Sequence, residues 1–327
     1  GYRPEPTLKY PSLGAITARE LPDPTIEIPS HISLAADQFF AVGGYLGSQW
    51  DAFRVFDPGH GLANLEAYVS DQRQATRMQS LQRVNDAFEK QRRFSAPATL
   101  HRDTISDALR MMSSDQLKAL VPDDEPAAVK AAYGDSRFGR GCLVARRLVE
   151  TGVRAIEVTL SGFDTHTNNH EGHVSQCGML DPALATLIAE LRERDLLEST
   201  IVLCISEFGR TPSINPADGR DHWPHWFSCL IAGGGFRAGT VIGATSGEIP
   251  QDQKKDNLNI MSAGSRIAPV DPITIPELYA TILARMGINP RREFVTPIGR
   301  PMRYADAEPR VDLLTDAAAA GIDAVLS

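Results

Sequence analysis

The stretch "RFGRGCLVARRLVETGVRAIEVTL", Arg137 to Leu160, decides the fold class. Its first part reads as a helix closed by Gly152, the residue type that accepts the left-handed C-terminal cap. "VRAIEVTL" then runs as a continuously apolar strand, the habit of strands covered on both faces. The same alternation continues downstream. "LDPALATLIAELRERDLL" places leucines, alanines and an isoleucine at helical spacing. "TIVLCIS" (Thr200–Ser206) is a second buried strand and "WFSCLIAG" (Trp226–Gly233) a third. "TIPELYATILARMG" opens with Thr274, Pro276 and Glu277, the signature of a capping box.

Buried strands separated by amphipathic helices predict an α/β fold with a mostly parallel central sheet and helices on both faces. Val153–Leu160 and Thr200–Ser206 are expected as neighbouring, or nearly neighbouring, parallel strands. The first sixty residues are rich in proline and glycine, and "PTIEIPSHISLA" is their clearest strand-like run. From Leu62 the pattern becomes a long polar helix up to Arg93, and helical segments continue to about Tyr133. This block, about 62–133, reads as a helical insertion in one domain spanning 1–309, followed by a tail at 310–327 in which a loosely docked helix is expected. No internal repeat is visible.

Totals narrow the function class. A chain of 327 residues with 42% hydrophobic and 23% charged residues can bury a substantial core, which excludes wholesale disorder. A net charge of −8 excludes a general nucleic-acid binder. No apolar run reaches the length of a bilayer span, and no signal peptide precedes Gly1. Cys142, Cys177, Cys204 and Cys229 form no C-x-x-C pair, so neither a zinc ribbon nor a disulfide framework is indicated. Cys204 and Cys229, in apolar runs, read as buried thiols.

Five of the eight histidines (His166, His170, His173, His222 and His225) fall within a sixty-residue window. In α/β sheets ligands bind beyond the carboxyl ends of strands, and the polar clusters lie there. Asp164 and His166 follow "VRAIEVTL"; two apart on an extended segment, they point the same way. Glu207 follows "TIVLCIS", and "GRDHWPH" adds Asp221 and His222. His170 and His173 lie further into the loop after Asp164. Imidazole with carboxylate suits zinc, manganese or iron(II) better than calcium. The competing reading makes these residues ordinary loop polars and N-caps. Arg210 in "EFGRTP" and Arg220 in "GRDHW" would either clamp a phosphate or sulfate bidentately or pair with a local carboxylate. "HEGH" falls one residue short of the H-E-x-x-H spacing. "GGGFRA" at Gly233 runs into strand-like "GTVIGAT", so it reads as a hairpin turn rather than a dinucleotide fingerprint. Neither a G-x-S-x-G elbow nor a Walker A loop occurs.

The stretches "RFGRGCLVARRLVETGVRAIEV", "GFDTHTNNHEGH", "LLESTIVLCISEFGRTPSIN", "GRDHWP", "TIPELYATILARMGIN" and "TPIGRPMR" together resemble a bacterial family known as domain of unknown function 1501. The likeness runs from about "PSLGAITAREL" to Met302. That family is related to the alkaline phosphatase and sulfatase superfamily, and the resemblance implies its arrangement: two metal ions at the strand ends flanking a Ser, Thr or modified Cys nucleophile. Asp164 with His166 (or His170) looks like the first late ligand pair. Glu207 and Phe208 stand where the superfamily often has Asp-His, removing one ligand, and His222 looks like the last lone histidine. Family members usually carry an exported N-terminal segment and an Asp-bearing first strand, which lie upstream of Gly1; the catalytic nucleophile is expected there.

The resulting expectation is a metal-dependent hydrolase-like protein using a divalent metal, zinc or manganese. It would act on a small-molecule or polysaccharide phosphate or sulfate ester in the periplasm or outside the cell. Asp164, His166, His170, Glu207, Asp221 and His222 are the candidate metal ligands, and Arg210 and Arg220 the candidate substrate contacts. The alternative is a non-catalytic metal- or ligand-binding protein without a nucleophile.

Overall fold

A computed structural model describes residues 7–36, 40–65, 68–91, 100–245 and 269–327. Its parallel sheet has three strands in the order β2-β1-β3, where β1 is His31–Leu34, β2 Phe53–Val55 and β3 Ala155–Val158. Ile32 pairs with Phe53 on one side and Ile156 on the other. Two helices cover opposite faces of this sheet. α1 (Leu13–Glu20) lies over β1 and β3, so close that a Cβ on Gly14 would stand 2.3 Å from Nε2 of His31. On the other face, Ile32, Leu34, Ile156 and Val158 meet Val144, Ala145 and Leu148. These three belong to the helix Arg137–Thr151, which is α5 in the chain order set out below. A Cβ on its Gly141 would come within 2.7 Å of Val158, so glycine permits the close approach.

Between α1 and α5 come α2 (Asp71–Gln91), α3 (His101–Met112) and α4 (Ala127–Tyr133). The helical block expected at 62–133 is present, but its first long helix starts at Asp71 rather than Leu62. Positions 66–67 and 92–99 lie outside the described residues. Neither α2 nor α3 contains a buried residue, whereas Tyr133 at the end of α4 is fully buried. α5 is capped at its start by Ser136 and closed by Gly152 at φ 98°, as the sequence predicts.

α6 (Asn169–Glu193) packs along α5. It begins far earlier than its apolar pattern, because Asn168 turns the chain at φ 45° and the helix tolerates Pro182 inside it. His170 and His173, expected in a loop, therefore sit in its first turns. β4 (Ile201–Cys204) follows, then the two-residue strands β5 (Gly209–Arg210) and β6 (His222–Trp223), which pair with each other, and β7 (Leu230–Gly233).

The expected parallel sheet is realised in part. β4 pairs antiparallel with β7, and β3 pairs with β1. Among the described residues β3 and β4 share no ladder, so the sheet is parallel only in its β2-β1-β3 part. β7 runs back beside β4 because a parallel neighbour needs a long crossover, usually a helix, and none lies between Cys204 and Leu230. β7 is also less buried than its composition suggests, since Leu230 is exposed; Cys229 just before it is exposed and Cys204 half-buried, so neither is the buried thiol expected.

Gly233, Gly234 and Gly235 form a tight turn after β7 with φ of 72°, 54° and 82°. No helix opens after this turn over residues 236–245, unlike a dinucleotide loop, and the chain there does not return along β7 as a hairpin. Its bridges run from Phe236 to Leu314 and from Ala244 to Val270. α7 (Ile275–Arg285) carries the full capping box of Thr274 and Glu277. β8 (Glu293–Val295) and β9 (Pro301–Arg303) form a hairpin, and α8 (Asp316–Ala319) and α9 (Ile322–Leu326) end the chain. Leu313, Leu314 and Ile322 join the cluster of Leu278 and Ile282 from α7, which docks the tail on that helix. No helix among the described residues is long and apolar enough to cross a membrane.

Candidate metal centre

Asp164, His166 and His222 each offer one ligand atom, and these atoms lie within 4.8 Å of one another. Two segments bring them together. The first is the loop that leaves β3, folded on itself by bonds from Thr165 N to the Phe163 carbonyl (2.9 Å) and from His166 N to the Asp164 carbonyl (3.2 Å). The Thr165 hydroxyl anchors it by donating to Oδ1 of Asn169 at the start of α6 (2.8 Å). The second is the β5–β6 hairpin, whose register sets Arg210 opposite His222.

Asn215 locks the two segments. Its Nδ2 donates to the His166 carbonyl (3.0 Å) and to Oδ1 of Asp221 (3.2 Å). Its Oδ1 accepts from the amides of Ala217 and Gly219, both at 2.9 Å. Gly219 is required at this crossing, because a Cβ there would fall 1.8 Å from the His166 carbonyl oxygen. Sequence reasoning missed Asn215; its signal was the turn-forming run "NPADG" between two apolar segments.

Within the cluster Oδ1 of Asp164 stands 2.9 Å from Nε2 of His222 and 3.0 Å from Nε2 of His166. The two Nε2 atoms are 3.2 Å apart. Donors at the corners of a tetrahedral shell with arms of about 2.0–2.1 Å would stand about 3.3 Å from one another, so the three edges match the shell to within a few tenths of an ångström. Nδ1 of His166 lies 2.9 Å from Oδ1 of Asp221. An ionised carboxylate can only accept, so Nδ1 donates to Asp221 and Nε2 faces Asp164 and His222. This carboxylate–histidine pairing is how proteins orient imidazole toward a metal. Asp221, predicted as a ligand, acts on the cluster through His166.

The site is open, with the side chains of Asp164, His166 and His222 exposed by 66%, 45% and 43%. Bonds from His222 and then Arg210 hold the Asp164 carboxyl down to about 2. The His166 bond, followed by that of Asn215, keeps Asp221 below the usual carboxylate range. Phe208, where the resemblance places a histidine, packs its ring 4.4 Å from that of His222 and steadies it.

The remaining candidates separate. Nη2 of Arg210 donates to Oδ1 of Asp164 (2.6 Å) and Nη1 to the Arg220 carbonyl (3.2 Å). Nη1 of Arg220 is taken by the carbonyls of Thr211 (2.5 Å) and Pro212 (2.7 Å). Arg210 thus borders the cluster, while Arg220 braces the turn behind it. Glu207 and His170 are exposed and are not members of the close group. His173 lies edge-on to Phe163, 5.5 Å between ring centroids, and burial followed by the charges of Arg210 and Arg220 pushes its pKa down.

The chain matches the family described as "Protein of unknown function (DUF1501)" over residues 1–314. Neither a curated protein nor a solved structure matches it significantly. With nearly its whole length inside that match, the chain belongs to the DUF1501 family.

Proposed function

We propose that Asp164, His166 and His222 hold a divalent ion, zinc or manganese, and that the protein is a metal-dependent hydrolase of phosphate or sulfate esters. One observation carries the reading. The His166 ring, fixed by Asp221 at Nδ1, brings its Nε2 to 3.0 Å from a carboxylate oxygen of Asp164 and 3.2 Å from Nε2 of His222. Three ligand atoms of these types at such spacings could form one face of a metal's coordination shell. The two imidazoles and one carboxylate suit zinc or manganese, and the open face leaves room for a substrate. When bound, such an ion supplies Lewis acidity and lowers the pKa of water. Asp221 and Phe208 orient the two histidines. Arg210, at the rim, offers the positive charge that an ester anion needs. A small-molecule or polysaccharide ester and an exported setting belong to the same proposal.

A second reading, a metal-binding protein without its own nucleophile, draws on the neighbouring hydroxyls. Thr165 is buried and donates to Asn169, and Ser206 donates to the Phe208 carbonyl. Titration calorimetry of chelator-treated protein with zinc and with manganese tests the metal. Hydrolysis of p-nitrophenyl phosphate and p-nitrophenyl sulfate by the loaded protein separates the two readings. Binding that survives His166→Ala with His222→Ala would overturn the site, and binding without turnover would leave the second reading.

A further inference from the structure

Neither α2 nor α3 contains a buried residue, although helices in proteins draw most of their stability from packing an apolar face. Both have such a face. Met78, Leu81, Val84 and Phe88 recur at intervals of three and four along α2, and Ile105, Leu109 and Met112 do so along α3. In each helix one line of this stripe is partly covered and the next is open. Met78 and Leu81 are half-buried, whereas Val84 and Phe88 are 64% and 40% exposed. Ile105 and Met112 are half-buried, whereas Leu109 is 39% exposed.

The pair is tied together and to the domain. Arg102 at the start of α3 meets Asp86 and Glu89 near the end of α2, at 2.9 and 3.1 Å. At the other end of α3, Met111 packs on the core cluster that holds Leu120 and Leu148. The open stripe is therefore carried on a fixed helix pair.

We propose that this stripe is the interface of a homodimer, in which the α2–α3 pairs of two copies meet about a two-fold axis at Leu81. Area and pattern argue for a second copy as the occupant. At a rise of about 1.5 Å per residue, the 21 residues of α2 and 12 of α3 extend about 31 and 18 Å. Strips about 10 Å wide along both amount to roughly 500 Å² on each copy and 1,000 Å² in all, the size that a specific interface should clear. A two-fold contact joins one patch to itself, so a second copy supplies the matching surface.

The pattern of α2 suits that symmetry. Leu81 is the middle residue of the helix, so antiparallel copies centred there overlap over their full length. Leu81 then stands level with its own counterpart, and Val84 level with Met78 of the other copy. In the same register Arg73 is level with Glu89 of the other copy, and no like charges on the two helices are level.

An interface of this size predicts a weak dimer, with a dissociation constant on the order of 10 μM. Sedimentation velocity at loading concentrations well below and well above that value should show monomer passing into dimer. Val84→Glu with Phe88→Glu changes two exposed residues, so the melting temperature should hold while dimerisation weakens roughly tenfold or more. Leu81→Cys, in a chain whose exposed cysteines carry Cys177→Ser and Cys229→Ser, should oxidise to a disulfide-linked dimer. Gln79→Cys, on the opposite side of α2, should not. A protein that stays monomeric throughout, or a dimer indifferent to the double substitution, overturns the proposal. A monomer whose melting temperature falls in the double variant would show the stripe covered by its own chain. A monomer that binds phosphatidylethanolamine–phosphatidylglycerol vesicles, and loses them in the double variant, would give the stripe to a membrane surface. Either result defeats the dimer. Should the double variant fail to fold, the cysteines decide: no cross-link at position 81, or equal cross-linking at 79, ends the proposal. None of these readouts involves metal, so the dimer stands or fails apart from the metal reading.

Discussion

Asp221→Ala isolates the orienting role from the ligand role. Asp221 reaches the cluster through one bond, to Nδ1 of His166 at 2.9 Å, and is itself steadied by Asn215 at 3.2 Å. Removing a carboxylate behind a metal-bound histidine costs typically 10–100-fold in metal affinity, about 1.4–2.7 kcal/mol. The Asp221 side chain is 52% exposed, so water can replace part of the bond, and the lower end, about tenfold, is expected. Asp221→Asn keeps an oxygen able to accept from Nδ1 and should lose less than the alanine variant. The assay is zinc binding by competition with a chromophoric chelator, beside a thermal melt of each variant. Removing a ligand, by His166→Ala, should instead abolish binding in the accessible range. An Asp221→Ala protein that binds zinc like the parent would refute the orienting role. One as damaged as His166→Ala would make Asp221 a ligand.

Arg210→Lys keeps charge beside Asp164 but cannot also reach the Arg220 carbonyl; vanadate affinity of the metal-loaded protein should weaken by about 1–3 kcal/mol. Unchanged vanadate affinity with a lower melting point would leave Arg210 as a brace. Arg146, whose side chain is 3% exposed, lies among Glu125, Glu150 and Glu190. Arg146→Met strands these carboxylates and should destabilise the fold by about 3–5 kcal/mol in urea titration; a loss under about 1 kcal/mol would contradict a buried ion network. Burial holds the His31 pKa below its ordinary 6.5 despite its bond to the Trp50 carbonyl. The unfolded chain therefore takes up the proton first, so this contribution to stability is full above about pH 6.5 and is lost as the pH falls through the folded value. Urea midpoints at pH 8, 6.5 and 5 should show that fall in the parent and a shallower one in His31→Gln, and parallel slopes would refute it.

What the sequence displays depends on how far each signal reaches along the chain. α5 and α7 were legible because their caps, Gly152 and the Thr274–Glu277 box, act over three or four residues. β3, β4 and β7 were legible as strands for the same reason. The antiparallel pairing of β4 with β7 was not, because direction depends on what lies between strands, and no crossover helix lies between Cys204 and Leu230. The start of α6 was hidden by polar residues: "NHEGH" has no apolar period, and Asn168 supplied the turn. Asp164, His166 and His222 could be found because strand ends collect ligands, but Glu207 and His170 met the same rule and stand outside the group. Which strand-end residues converge was decided by Asn215 and the two-residue pairing of β5 with β6, too short to leave a period.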